Sequence, residues 1–94
     1  MDLQFEWDES KNLINQKKHK ISFEAAALVF EDSAHLEMFD FNHSDDEERY
    51  IAIGMVNKVL FVVFTERLDK IRIISARIAN ERERRIYYDS NIFH

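Results

Sequence analysis

The 94-residue chain contains no cysteine and no proline, and its single glycine is Gly54. Without cysteine there is neither a disulfide framework nor thiolate chemistry, and a reducing, cytoplasmic setting fits best. Without proline or a glycine-rich stretch there is no linker and no boundary to place, so residues 1–94 read as one domain. The same lack of glycine excludes a glycine-rich phosphate loop. The longest apolar run, Val59 to Phe64, is far shorter than the roughly 20 residues a membrane helix needs. No basic segment followed by an apolar one marks the N-terminus as a signal peptide, and no membrane role is expected.

What is present is a core. Hydrophobic residues make up 46% of the chain and aromatic residues 13%, among them eight Phe, enough to fold without a metal or covalent staple and too much for a disordered segment. The net charge of −5 disfavours nucleic-acid binding taken alone, but the charges are segregated. Residues 31–48 hold eight acids and no Lys or Arg, whereas residues 66–85 hold seven Lys or Arg against four acids. An acidic region and a basic one are expected on the same molecule.

Asp8 reads as the N-cap of a first helix reaching about His19, with Trp7 and Ile14 on its apolar face. Ser22 caps a second, in which Phe23, Ala26, Ala27 and Phe30 follow the i, i+3, i+4, i+7 spacing of a buried stripe, ending near Glu31-Asp32-Ser33. The period then changes to two. His35–Phe41 is a first strand, the polar stretch Asn42–Glu48 a loop, and Arg49–Val56, Val59–Arg67 and Lys70–Arg77 three strands joined through Asn57-Lys58 and Leu68-Asp69. Asn80 and Glu83 form a capping box for a last helix to about Tyr88. The expected fold is α+β in the order ααββββα, with two N-terminal helices packed on a four-stranded antiparallel meander and a C-terminal helix following.

Two-residue turns define a register. It groups Arg49, Glu66 and Ile71, then Ile51, Phe64 and Ile73, on the face the first two helices cover, with Arg77 among Met55 and Leu60 at its far end. Arg49 and Glu66 form a cross-strand ion pair in this register. Arg67, Lys70, Arg72, Tyr50 and Thr65 meet at one end of the other face. Guanidinium and ammonium groups bind phosphate oxygens and a tyrosine ring can stack on a base; charged residues also simply guard hairpin edges. Both readings fit the residues.

His19, His35, His43 and His94 lack metal-ligand spacing, and no metal is expected at them or in the loop with Asp45 and Asp46. Ser and Thr nucleophiles have no evident His and Asp partners. Lys17, Lys18, His19 and Lys20 complement the C-terminal dipole of the first helix or contact an anion.

The ordered set Phe5-Glu6-Trp7-Asp8, Lys18-His19, Ser22-Phe23-Glu24-Ala25-Ala26, Val29-Phe30, Glu48-Arg49, Gly54, Thr65-Glu66-Arg67, Ile71–Arg77 and Glu83-Arg84-Arg85 resembles the BrnT family of bacterial toxins, from residue 5 to about 88. The resemblance implies a RelE-like ribonuclease fold and the toxin role in a type II toxin–antitoxin system. It implies RNA cleavage in which the substrate's own 2′-hydroxyl attacks the neighbouring phosphorus, without metal or other cofactor, inhibiting translation and growth. It also implies a BrnA-type antitoxin, a heterotetramer with it, and operator DNA reached only through that antitoxin. Arg67, Arg72 and Arg77 match the family's basic strand motif and are the expected phosphate-binding, catalytic set. Lys18, His19, Glu48 and Arg49 match its other polar positions, with Lys18 or Glu48 as the proton-transfer group. Arg49, Tyr50, Thr65, Lys70 and His19 are the expected RNA contacts. An alternative is a non-catalytic protein acting through its antitoxin in operator autoregulation.

Overall fold

The computed structural model describes residues 3–43 and 46–91, His43 by its backbone only. The elements are β1 (Gln4–Glu6), α1 (Glu9–His19), α2 (Phe23–Ala27) continued by a 3-10 turn over Leu28–Glu31, β2 (Leu36–Phe39), a 3-10 turn over Phe41–His43, β3 (Tyr50–Val56), β4 (Lys58–Arg67), β5 (Lys70–Ile78) and α3 (Glu81–Asn91). The strands form one five-stranded mixed sheet in the order β1-β5-β4-β3-β2. The expected four-stranded antiparallel meander is therefore incomplete. β1 adds to it parallel to β5, Phe5 level with Ile71 and Glu6 with Arg72. Three residues are too few to display a period, which is why this strand left no pattern in the sequence.

The helix starts follow their caps. Asp8 accepts from the Lys11 N–H at 3.2 Å and Ser22 from the Ala25 N–H at 3.0 Å. At α3, Asn80 and Glu83 each accept the other's backbone N–H, at 2.8 and 2.9 Å; the helix continues past Tyr88 to Asn91.

The expected apolar face of α1 is corrected. Leu13 and Ile14 are 61% and 63% exposed, and the buried side chains are Asn12 and Asn15. β1 covers β5 only as far as Arg72, leaving backbone groups bare on that edge. The Asn15 amide meets both at Ala76, donating to its carbonyl at 2.8 Å and accepting from its N–H at 3.2 Å, and donates to the Ile21 carbonyl at 2.8 Å. Asn12 Oδ1 accepts from the Phe23 N–H at 2.8 Å, tying α1 to the start of α2. An amide carries both a donor and an acceptor, so it can complete a strand edge where a leucine cannot.

One face of the sheet buries Phe23, Ala26, Val29 and Phe30 against Ala52, Leu60, Val62, Phe64, Ile73 and Ala76. Phe30 packs edge-on against Phe64 at 5.1 Å between ring centroids. The 3-10 turn comes so close to β3 that a Cβ on Gly54 would fall 2.7 Å from Val29 Cγ1 and 3.0 Å from His35 Cβ. On the other face Tyr87 of α3 packs with Ile53, Val59 and Ala79. Its hydroxyl donates to Asp32 at 2.6 Å, and the same carboxylate oxygen accepts the Met55 N–H at 2.8 Å, so α3 is clipped to the main body.

Candidate active site

The expected register fails in two places, and both failures place site residues. Asn57 alone turns the chain between β3 and β4, in the left-handed region at φ 64°, with Val56 opposite Lys58. That is one residue tighter than a two-residue turn, so the β3 side chains exchange faces. Tyr50 then lies opposite Phe64 rather than Thr65. Its ring stacks on Phe64 at 5.5 Å, on the helix-covered face. Continuing the same register sets Arg49 level with Thr65 rather than Glu66, so the expected cross-strand step between Arg49 and Glu66 is lost; Glu66 does lie opposite Ile71, as expected.

The second failure is a bulge in β5. The Leu68-Asp69 turn is two residues long as expected, and Arg67↔Lys70, Thr65↔Arg72 and Phe64↔Ile73 follow from it. The pairing then jumps to Val63↔Ser75 and Phe61↔Arg77, leaving Ile74 as the extra residue. A bulge inverts the alternation beyond it. Arg77, expected on the helix-covered side, therefore shares a face with Thr65, Arg67 and Arg72. Its guanidinium lies 4.1 Å from the centroid of the Phe61 ring, a favourable cation–π geometry.

Each of these arginines meets a carboxylate from another element. Arg72 pairs with Glu6 of β1 at 2.7 Å, and Arg67 with Glu47 at 3.4 Å. Arg77 forms a two-pronged pair with Glu83 of α3, at 2.8 and 2.9 Å. The hydrogen bond that Arg77 donates to Glu83 raises the Arg77 pKa. For Glu83, burial pushes its pKa up but the hydrogen bonds from Arg77 and the Asn80 N–H outweigh it and hold the carboxyl below its usual range. Thr65 is buried and donates to the Glu48 carbonyl at 2.6 Å. The Tyr50 hydroxyl donates to the Glu48 carboxylate at 3.0 Å, and that bond raises the tyrosine pKa. Thr65 thus holds the Glu48 backbone from the arginine face, while Tyr50 holds its carboxylate from the helix-covered face.

The structure brings together Arg67, Arg72, Thr65 and Lys70 near the β4–β5 hairpin, with Arg77 further along the same face; Glu48 reaches Thr65 through its backbone carbonyl while its carboxylate bonds Tyr50, and Arg49 immediately precedes β3. Lys18 and His19 sit in the last turn of α1 and make no hydrogen bond or ion pair with this cluster among the described residues. Glu6 and Glu47 escaped sequence reasoning as arginine partners because Glu6 is 66 residues from Arg72 and Glu47 is 20 from Arg67. Glu83 was legible as a cap but not as the partner of Arg77. Among the described residues no group of three or more His, Asp or Glu could hold a metal ion, and no helix is long and apolar enough to cross a membrane. Asp45 and His94, weighed above as metal ligands, lie outside the described residues, as does the His43 side chain.

Such an arrangement can hold an anion. The guanidinium groups of Arg67 and Arg72 and the Lys70 ammonium share one end of this face, and arginine binds phosphate through parallel N–H donors. No curated protein sequence matches the chain. A solved structure that matches, over 85% of this chain and 100% of its own with a TM-score of 0.62 and 24% identity, is the 1.1 Å crystal structure of the Brucella abortus ribonuclease toxin BrnT, which supports the fold. The family model described as "Ribonuclease toxin, BrnT, of type II toxin-antitoxin system" matches residues 7–83.

Proposed function

The chain belongs to the BrnT family, the ribonuclease toxins of type II toxin–antitoxin systems, and on that premise we propose that it cuts RNA with the arginine row of β4 and β5. Arg72 and Arg67 bind the non-bridging oxygens of the scissile phosphate. The substrate's 2′-oxygen bonds to phosphorus while the bond to the 5′-oxygen breaks, leaving a 2′,3′-cyclic phosphate and a 5′-oxygen that takes a proton from water to become the free 5′-hydroxyl. Glu48, tied through its backbone carbonyl to Thr65 of the arginine face, accepts the 2′-hydroxyl proton. Fixed cations favour this step because negative charge builds on the phosphoryl oxygens in the transition state. Arg77, braced by Glu83 and Phe61, supports the row, and Arg49, Thr65 and Lys70 extend the RNA contact. Lys18 and His19, on α1, and Tyr50, stacked on Phe64, contribute outside the reacting atoms. RNA in the cytoplasm is the substrate, and cleavage there stops translation and growth. A BrnA-type antitoxin neutralises the enzyme within a heterotetramer and carries the complex to operator DNA.

The observation that carries this reading is the bulge, since it puts Arg67, Arg72 and Arg77 on one face where plain alternation would separate them. The test is RNA cleavage by purified protein, wild type against Arg72→Ala. Loss of cleavage with the fold intact is expected; full cleavage by the variant would remove Arg72 from the site. One observation favours the rival, a non-catalytic partner of a DNA-binding antitoxin: all three arginines already hold carboxylates. That rival predicts no cleavage by the free wild-type protein.

A further inference from the structure

The tip of the β4–β5 hairpin breaks two local rules at once. Leu68, its first turn residue, sits in the left-handed region at φ 55° and is fully exposed. Glycine or asparagine takes that conformation at little cost, and a bulky aliphatic residue does not. The residues flanking the turn, Arg67 and Lys70, lie directly opposite one another, and like charges in facing positions are destabilising. Neither choice helps the chain fold. Departures of this kind gather where function demands them.

The surroundings define what the tip can meet. Leu3, 55% exposed, adds a second aliphatic side chain beside it. A shallow groove of about 570 Å³ runs along the hairpin, lined by Gln4, Glu6, Arg67, Leu68, Asp69 and Lys70. Single-stranded RNA is held by aromatic or guanidinium planes under its bases; Leu68 and Leu3 at the tip offer no such plane. A protein chain supplies what fits, an apolar socket for the leucine and carboxylates for Arg67 and Lys70.

From this we infer that the hairpin tip is the anchor by which the antitoxin grips this protein, with Leu68 filling an apolar socket of an acidic antitoxin segment. The inference rests on the family reading, which supplies an antitoxin as partner. It adds a consequence for regulation: because Arg67 stands both at the tip and in the arginine row, a chain seated on Leu68 covers the phosphate site, and binding and neutralisation are one event.

The test titrates the purified cognate antitoxin onto wild type, Leu68→Gly and Leu68→Asn, two variants suited to the left-handed turn. The thermal midpoint should stay level or rise, RNA cleavage by the free variants should match wild type, and the Kd for antitoxin should rise at least ~10-fold, as for a buried anchor residue. A smaller rise in both variants overturns the inference. So does a variant that loses RNA cleavage while keeping its antitoxin affinity, because the tip would then be an RNA contact. If free wild type cleaves no RNA, the ribonuclease reading fails, and the affinity comparison still decides what the tip does.

Discussion

The two faces of the sheet are built on different terms. On the α2 side Phe23, Val29 and Phe30 close over Ala52, Val62, Phe64 and Ile73, and the buried contacts are apolar. On the other side α3 covers only the part around Ile53 and Val59, and the rest is lined by arginines paired with carboxylates, Arg67 and Arg72 with distant Glu47 and Glu6 and Arg77 with Glu83 of α3. The first arrangement stabilises through burial. The second contributes little to stability, because exposed or half-exposed ion pairs are worth at most about 1 kcal/mol, and it leaves positive charge where a ligand can compete for it. Holding the fold and offering a surface for chemistry are thereby assigned to opposite sides of β4 and β5.

The sharpest way to break this comparison is to cut into the closed face. Phe64→Ala should lower the unfolding free energy by about 3–5 kcal/mol in denaturant titrations, with RNA cleavage falling only as far as the folded fraction falls. Arg72→Ala should do the reverse, lowering cleavage by ~100-fold or more, the scale of losing one transition-state donor, while denaturant midpoints barely move. If each variant altered both properties alike, the division would not hold.

Asn15→Ala examines the sheet edge that neither face explains. It leaves the Ala76 N–H and carbonyl without their partner and should cost about 1–3 kcal/mol, measurable as a lower midpoint and as faster amide exchange at Ala76.

The pH dependence of the α3 clasp is a smaller effect with two limbs. Burial raises the Asp32 pKa, but the bonds from Tyr87 and from the Met55 and Ala34 N–H groups outweigh it and hold the carboxyl below its ordinary value. Its contribution is therefore complete above the unfolded carboxylate pKa near 4 and lost as pH falls through the lower folded value. Burial and the Asp32 bond push Tyr87 up to about 12. Its contribution is complete below the unfolded tyrosine pKa near 10 and lost as pH rises towards 12. Thermal midpoints should fall on both sides of a plateau, and Tyr87→Phe should flatten the alkaline limb. The smallest effect is expected at Glu81, which meets Arg85 at 2.6 Å on the exposed side of α3: Glu81→Gln should cost no more than about 0.5 kcal/mol.

Local signals were legible in the sequence. Asp8, Ser22 and the Asn80–Glu83 box start their helices where their side chains can accept free N–H groups, and period-two runs marked β2 to β5. The Leu68-Asp69 turn was also read correctly, and with it the pairing of Arg67, Thr65 and Phe64 to β5. Ile14 was misread because an apolar residue on a helix suggests a buried stripe, whereas the contact α1 has to make is with bare backbone, and asparagine makes it.

Sequence by itself determined the class of the fold, the helix caps, the strands of the meander and, through ordered motifs spread over most of the chain, the family. Through the family resemblance it also grouped Arg67, Arg72 and Arg77 as one basic set, although the register read from it placed Arg77 apart on the other face. Only the tertiary structure decided how that set is presented. A single left-handed residue at Asn57 and one extra residue at Ile74 each shift register by one, and in a sheet a shift of one exchanges faces. The first takes Tyr50 away from the arginines and the second brings Arg77 to them. Neither shift has a local signature, because register is a relation between strands.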